Sequence, residues 1–183
     1  MKILIINGNP DGSNLEFESY LLNLKQQWQS EGHTVEKIDL STLNLVYCTG
    51  CFGCWVRDPG ECVVKDDGSQ VRRAMIWSDL TVLAAPLVMG FPSALLKKMV
   101  DKMIPLVHPY IVVDHGEAHH RPRYSHYPRL ALLVQPEADT DAEDLKIIAE
   151  IFNRTALNIK TNLLFCRTTT DPVEEVANET HHI

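Results

Sequence analysis

This sequence of 183 residues has no apolar run long enough to cross a bilayer. It also lacks an excess of positive charge. Lys plus Arg number 17 against 24 Asp plus Glu, a formal net charge of −7. That balance argues against nucleic acid or an acidic membrane surface as a partner. Met1-Lys2-Ile3 runs straight into a candidate strand and leaves no room for a signal peptide, so the expected location is cytoplasmic. No internal repeat, heptad run or low-complexity segment is visible. The first turn is not G-x-G-x-x-G, because Gly8 and Gly12 lie four apart, and it has no lysine to make a Walker loop.

What is present begins with Lys2-Ile3-Leu4-Ile5-Ile6, an apolar run without alternation that suits a strand buried on both faces. Small and polar residues follow, Asn7 to Asn14, and then a helix with Phe17, Leu21, Leu24 and Trp28 at helical spacing until Gly32. A strand, a tight turn and a helix N-terminus together favour an anion, because free N–H groups and the helix dipole meet there. Ser13, Asn14 and Asn9 offer neutral donors of the kind that hold a phosphate monoester; an ordinary capped turn would carry the same residues.

Thr34 to Leu40 alternates as an edge strand would, and Leu80 to Ala85 reads as a central one. The latter ends in an unusually apolar loop, Pro86 to Pro92, before a helix with Leu95, Met99 and Met103 inward. Leu130 to Val134 and Asn162 to Cys166 supply two more strands, separated by a helix with a capping box at Thr140 and Glu143. Asp66-Asp67 should cap the helix that carries Val71, Ala74 and Met75 inward. The repeated β, α order predicts one doubly wound α/β domain over 1–183, with a Cys-rich loop at 47–62 and an irregular insertion at about 108–128.

Four of the five cysteines, Cys48, Cys51, Cys54 and Cys62, fall within fifteen residues. Such clustering points to metal or redox chemistry before packing. Three readings stand: a [4Fe–4S] cluster, structural zinc, and reduced thiols. Zinc more commonly uses two well-separated Cys-x2-Cys pairs. His115, His119, His120 and His126 lack helical ligand spacing and sit among arginines, as in a solvated or interface loop. Cys166 reads as a buried strand residue.

These segments together resemble the NAD(P)H-dependent FMN reductase group of flavodoxin-like proteins, and within it the iron–sulfur flavoprotein branch. The resemblance covers most of the chain. It implies a five-stranded parallel sheet of order 2-1-3-4-5, with FMN at the crevice between strands one and three. Gly8 to Leu15 is similar to the loop that wraps the FMN phosphate, which makes Asn9, Asp11, Ser13, Asn14 and Leu15 candidate cofactor contacts. Asn9 stands where the group usually has serine, Asp11 where it has arginine, and Leu15 where it has threonine. Pro86, Leu87, Val88, Met89 and Gly90 resemble the loop along the isoalloxazine ring, with Val88 in place of a frequent tyrosine. A glycine-containing loop after the fourth strand is replaced by Gln135-Pro136-Glu137. Cys48, Cys51, Cys54 and Cys62 match the positions that bind a [4Fe–4S] cluster in the iron–sulfur flavoproteins.

The resemblance implies an oxidoreductase that moves electrons from NAD(P)H or a reduced carrier to a small-molecule acceptor such as a quinone, flavin or oxygen. No side chain is expected as a catalytic acid or base, because flavin carries the chemistry. It also implies a homodimer or homotetramer, since the flavin would lie near a subunit boundary. Two other readings are kept: an FMN and iron–sulfur electron carrier without nicotinamide turnover, and a flavin-free scaffold with a zinc-binding loop.

Overall fold

The computed structural model describes residues 1–114 and 116–182. β1 (Lys2–Asn7) is buried along almost its whole length, and its side chains alternate between two cores. Ile3 and Ile5 meet Phe17, Leu21, Leu24 and Trp28 of α1 (Leu15–Ser30), while Leu4 and Ile6 face the opposite layer. A strand with apolar side chains on both faces requires a helix layer on each side, which is why the run shows no alternation. β2 (Thr34–Asp39) pairs parallel with β1 at the sheet edge, and of its six residues only Val35 is fully buried.

The chain then forms a short helix, α2 (Gly53–Val56), and α3 (Gly68–Trp77), whose Val71 and Met75 are buried. β3 (Leu80–Val88) occupies the sheet centre, turns back through β4 (Phe91–Pro92), and leads into α4 (Ala94–Asp101). Pro92 therefore belongs to a strand pair and Ser93 is the cap of α4: its hydroxyl accepts from the Leu96 N–H. Leu96 and Met99 are the buried residues of that helix, with Leu95 only partly covered.

The expected irregular insertion is in large part a hairpin. β5 (Val107–Asp114) and β6 (Glu117–Pro122) pair antiparallel, with Val112 opposite His119 and Asp114 opposite Glu117. Neither strand shows a clean polar alternation, because Ile111 and Val113 are exposed while His119 is buried. That inversion hides the strands from pattern reading. Residues 123–128 remain irregular. His115 lies outside the described residues.

β7 (Arg129–Gln135), α5 (Ala142–Asn158), β8 (Leu163–Thr168) and α6 (Val173–Asn178) complete the fold. The five parallel strands run in the order β2-β1-β3-β7-β8, the flavodoxin-like arrangement, with β4 added antiparallel to β3. Two capping expectations are corrected. The box of α5 is Asp141 with Asp144, one residue beyond Thr140 and Glu143, because Thr140 is engaged by the Glu137 N–H. Asp67 makes no side-chain cap to α3; instead Asp66 accepts from the Gly68 N–H. Among the described residues no helix is long and apolar enough to cross a membrane.

Candidate functional site

The carboxyl ends of β1, β3 and β7 sit side by side, so the loops that follow them share one rim of the sheet. The first loop is built on a polar cluster. Buried Asn7 donates to Glu18 at 2.7 Å and Asp39 at 2.8 Å, and Lys37 lies 3.0 Å and 2.5 Å from the same two carboxylates. Burial works against ionisation of Glu18 and Asp39, but hydrogen bonds and the Lys37 charge outweigh it and hold both below the usual carboxylate range.

Asn9, also buried, has its amide donating to Glu18 at 2.9 Å while its oxygen accepts from the Asp11 N–H. Asp11 is exposed and folds back on the turn. Its carboxylate accepts from the Ser13 N–H at 2.9 Å and from the Ser13 hydroxyl at 2.9 Å. These two bonds hold its pKa below the ordinary value, the backbone bond contributing most. The donors at the start of α1 therefore already hold an oxyanion. Asn14 caps the helix through the Phe17 N–H, and its amide donates to Gln135 at 2.7 Å. Leu15 stands exposed at the rim.

Gly8 makes this loop possible. A Cβ there would lie 2.5 Å from the Leu96 Cβ, so any side chain would push the turn off α4. The buried Ser93 hydroxyl donates to the Gly8 carbonyl, which locks the first loop to the second.

The second loop is a tight reversal in which Met89 and Gly90 both have positive φ, +54° and +73°. The Glu137 carboxylate accepts both of their N–H groups, at 3.0 Å from Met89 and 2.8 Å from Gly90. Leu87 is buried beneath the turn; Val88 and Met89 project outward. The Gln135-Pro136-Glu137 loop thus reaches both neighbours, through Gln135 to Asn14 and through Glu137 to Met89 and Gly90. Neither Gln135 nor Glu137 is among the contacts that the sequence predicts. Their signal was a missing glycine, which identifies a departure but not a partner.

The Cys-rich loop lies beside this rim, over α4. Asn44 and Val46 donate to Asp67 and Asp66, and Lys98 donates to the Leu45 carbonyl while resting 4.2 Å above the Tyr47 ring. Cys48, Cys51, Cys54 and Cys62 line one small cavity of about 30 Å³, and all are free thiols. Gly53 allows the fold-back, because a Cβ there would meet a Val63 methyl at 2.4 Å. Burial chiefly, and then the neighbouring cysteines, push the Cys54 thiol up, whereas hydrogen bonding, first from the Gly53 backbone, pulls Cys51 down. Beneath them Lys102 is buried, 2.8 Å from Asp66 and 3.9 Å from the Cys62 sulfur. Among the described residues no three His, Cys, Asp or Glu side chains stand where one metal ion could be held. The four thiols thus share a cavity without forming an assembled metal site among the described residues, for zinc or for a cluster.

The described histidines do not converge on a common centre. His126 reaches the Ser78 carbonyl, His119 pairs with Glu117, and His120 packs on Trp55. Cys166 is only partly covered in β8, yet burial of its thiol pushes it up to about 11, the value of an inert sulfhydryl.

A parallel sheet of this order, with an anion-holding first turn and a donor-rich second loop at the β1/β3 rim, defines a flavodoxin-like protein. The family model described as NADPH-dependent FMN reductase matches residues 1–122. The chain belongs to that family. It is similar to an iron–sulfur flavoprotein of Archaeoglobus fulgidus, 35% identical over 83 residues that span 45% of this chain and 37% of the relative. An iron–sulfur flavoprotein of Methanocaldococcus jannaschii is 32% identical over 108 residues, 58% of this chain and 53% of that one. These matches therefore take in about half, or less, of each relative's length. In fold the chain resembles an FMN-dependent NADH-azoreductase of Bacillus anthracis solved in complex with FMN, with a TM-score of 0.61 at 15% identity, covering 100% of this chain and 95% of that one.

Proposed function

We propose that this chain is an FMN-dependent oxidoreductase that takes electrons from NAD(P)H or a reduced carrier and passes them to a small-molecule acceptor such as a quinone, flavin or oxygen. The observation that carries this reading is the convergence of three loops in which backbone and hydroxyl donors already hold oxygen ligands. Ser13 grips the Asp11 carboxylate, and Met89 and Gly90 grip that of Glu137. Donors of this kind fit the phosphate and the carbonyl-bearing ring of FMN. Asn9, Asp11, Ser13, Asn14 and Leu15 would form the phosphate side, and Pro86, Leu87, Val88, Met89 and Gly90 the ring side. Bound flavin supplies hydride and single-electron transfer. The chain's own share is to orient the ring through the N–H groups of Met89 and Gly90, to keep Leu87 beneath it, and to neutralise phosphate charge at the α1 N-terminus.

The four-cysteine loop would hold a [4Fe–4S] cluster. Four thiolates with an inorganic core carry net negative charge, and buried Lys102 beside Cys62 offsets it. Similarity to iron–sulfur flavoproteins of Archaeoglobus fulgidus and Methanocaldococcus jannaschii supports the same reading. Val88, Met89 and Leu15 expose 54%, 94% and 71% of their surface around the rim, an apolar margin that a second subunit of a homodimer or homotetramer would cover. A second reading is an electron carrier that holds FMN and a cluster without nicotinamide turnover, in which the four-cysteine loop would be the second redox centre.

The test is an absorption spectrum of protein purified without oxygen, with iron and sulfide assayed on the same sample. Flavin bands that bleach rapidly with NADPH or NADH under argon support the enzyme. Flavin that no nicotinamide reduces, but that a reduced ferredoxin does, supports the carrier. A colourless protein that refuses added FMN overturns both.

A further inference from the structure

The turn between β1 and α1 has committed its donors to its own oxygens. The Asn9 N–H donates to the Asn7 side chain at 3.0 Å, the Asp11 N–H to the Asn9 side chain at 3.2 Å, and the Ser13 N–H to the Asp11 carboxylate at 2.9 Å. The Asn14 N–H donates to the Asp11 carbonyl at 3.0 Å, and the Leu15 N–H to the Ser13 carbonyl at 2.8 Å. Ser13 carries the one hydroxyl between Gly8 and Leu15, and it too donates to the Asp11 carboxylate, at 2.9 Å. Asp11 thus engages the N–H and hydroxyl of Ser13 and the N–H of Asn14.

The turn also carries no cation. Gly8 to Leu15 contains no Lys, Arg or His, while Asp11 contributes a full negative charge. Asp11 is exposed, so water keeps it ionised, and its bonds to Ser13 reinforce that. Glu16 and Glu18 follow in the first turn of α1. Lys37 approaches this cluster from β2 but is engaged with Glu18 at 3.0 Å and Asp39 at 2.5 Å. The helix dipole favours one anion at this end, and carboxylates already stand there.

A phosphate monoester brings about 1.5 to 2 further negative charges. To reach the donors of Ser13 it must displace Asp11 and then remain beside it. One anion replaces another on the same donors, so the gain in hydrogen bonding is small while the repulsion persists. An uncharged hydroxyl avoids both costs. A carboxylate has about four acceptor positions and Ser13 occupies two, so a ligand hydroxyl can donate to Asp11 without displacing it.

We infer that Asp11 sets the specificity of the flavin site at the phosphate end: the site takes the uncharged flavin, riboflavin, at least as readily as FMN. This rests on the flavin reading proposed above, in which the N–H groups of Met89 and Gly90 serve the ring of either flavin alike.

The test is titration of the full chain with FMN and with riboflavin, followed by quenching of flavin fluorescence. The expected result is riboflavin bound as tightly as FMN, or up to about tenfold more tightly. Asp11→Asn keeps an oxygen for the Ser13 N–H and removes the charge. It should tighten FMN about five- to tenfold, the repulsion of a carboxylate and a phosphate a few ångströms apart in water, and hold riboflavin within about twofold. Unchanged riboflavin binding also shows that the variant is folded. Raising NaCl from about 20 mM to about 500 mM should tighten FMN in the parent and leave riboflavin alone. Glu137→Ala acts at the ring loop and should shift both flavins by the same factor. FMN bound about tenfold more tightly than riboflavin by the parent, or FMN affinity unmoved by Asp11→Asn, would overturn the role of Asp11 and leave the flavin site standing. If neither flavin binds, the role of Asp11 and the flavin reading fall together.

Discussion

The carboxylate of Glu137 accepts the backbone N–H of Gly90 at 2.8 Å across 47 residues of sequence, and the Met89 N–H beside it at 3.0 Å. One side chain from the loop after β7 thereby satisfies the exposed donors of the turn after β3. In the reading proposed above, those donors also face the flavin ring, so Glu137 competes with the cofactor for them.

Replacing Glu137 with Ala should free both N–H groups. FMN titrated by fluorescence quenching should then bind about five- to tenfold more tightly. Loss of two hydrogen bonds to a charged acceptor at a partly exposed site should lower stability by about 1–2 kcal/mol. Weaker FMN binding would show that Glu137 preorganises the turn instead of competing.

Gly8→Ala should damage both stability and FMN affinity, because the added Cβ meets Leu96 at 2.5 Å and the adjacent helix must shift. The expected cost is about 1–3 kcal/mol by denaturant unfolding. Gly12→Ala is the control, since nothing lies within 4 Å of a Cβ there, and it should change stability by less than about 0.5 kcal/mol.

Lys102→Met should destabilise the chain by about 3–5 kcal/mol, because it leaves the Asp66 carboxylate buried without its cation. The double variant with Asp66→Asn should recover a substantial part of that loss. If the single variant unfolds at the same denaturant concentration as the parent, the pair is not a structural support for the Cys-rich loop.

Cys54→Ser and Cys62→Ser should each abolish iron binding in anaerobic protein, while Cys166→Ala should retain it, since its sulfur lies in β8 and outside the shared cavity. Inductively coupled plasma analysis of all three variants decides this directly. Iron retained in Cys54→Ser would remove the cluster from the proposal.

Acid should weaken the fold in a defined window. Glu18, Asp39 and Asp66 are held below their ordinary values of 4.5, 3.8 and 3.8: burial pushes each up, but hydrogen bonds and nearby lysines pull each down further. A carboxylate depressed in the folded state binds protons more readily when unfolded. Its contribution is therefore fully present above the ordinary pKa and lost as pH falls through the folded one. Unfolding free energy should be level above about pH 5 and fall below about pH 4. Lys37→Met should flatten that fall by removing the cation shared by Glu18 and Asp39.

Much of the architecture was legible in local pattern. Ile3 to Ile6 and Leu130 to Val134 announced strands covered on both faces, and Phe17, Leu21, Leu24 and Trp28 announced the helix that covers one of them. The β5–β6 hairpin was not legible, because its exposed Ile111 and Val113 and buried His119 reverse the usual relation of polarity to burial. The capping box of α5 was read one residue early, because Thr140 and Asp141 are both competent caps and only the contact with Glu137 separates them.

The order of residues by itself determined the layered sheet, the rim at which the loops after β1, β3 and β7 gather, and the clustering of four thiols in one loop. Each follows from side-chain period, turn chemistry and short-range spacing, which act between neighbours in the chain. Only the tertiary structure decided which donor meets which acceptor. Glu137 reaches Gly90, Gln135 reaches Asn14, Lys102 lies beneath Cys62, and Arg154 grips the Glu117 carboxylate that lies beside His119. These pairings join segments far apart in sequence, and their geometry exists only once the sheet and its helices have closed around them.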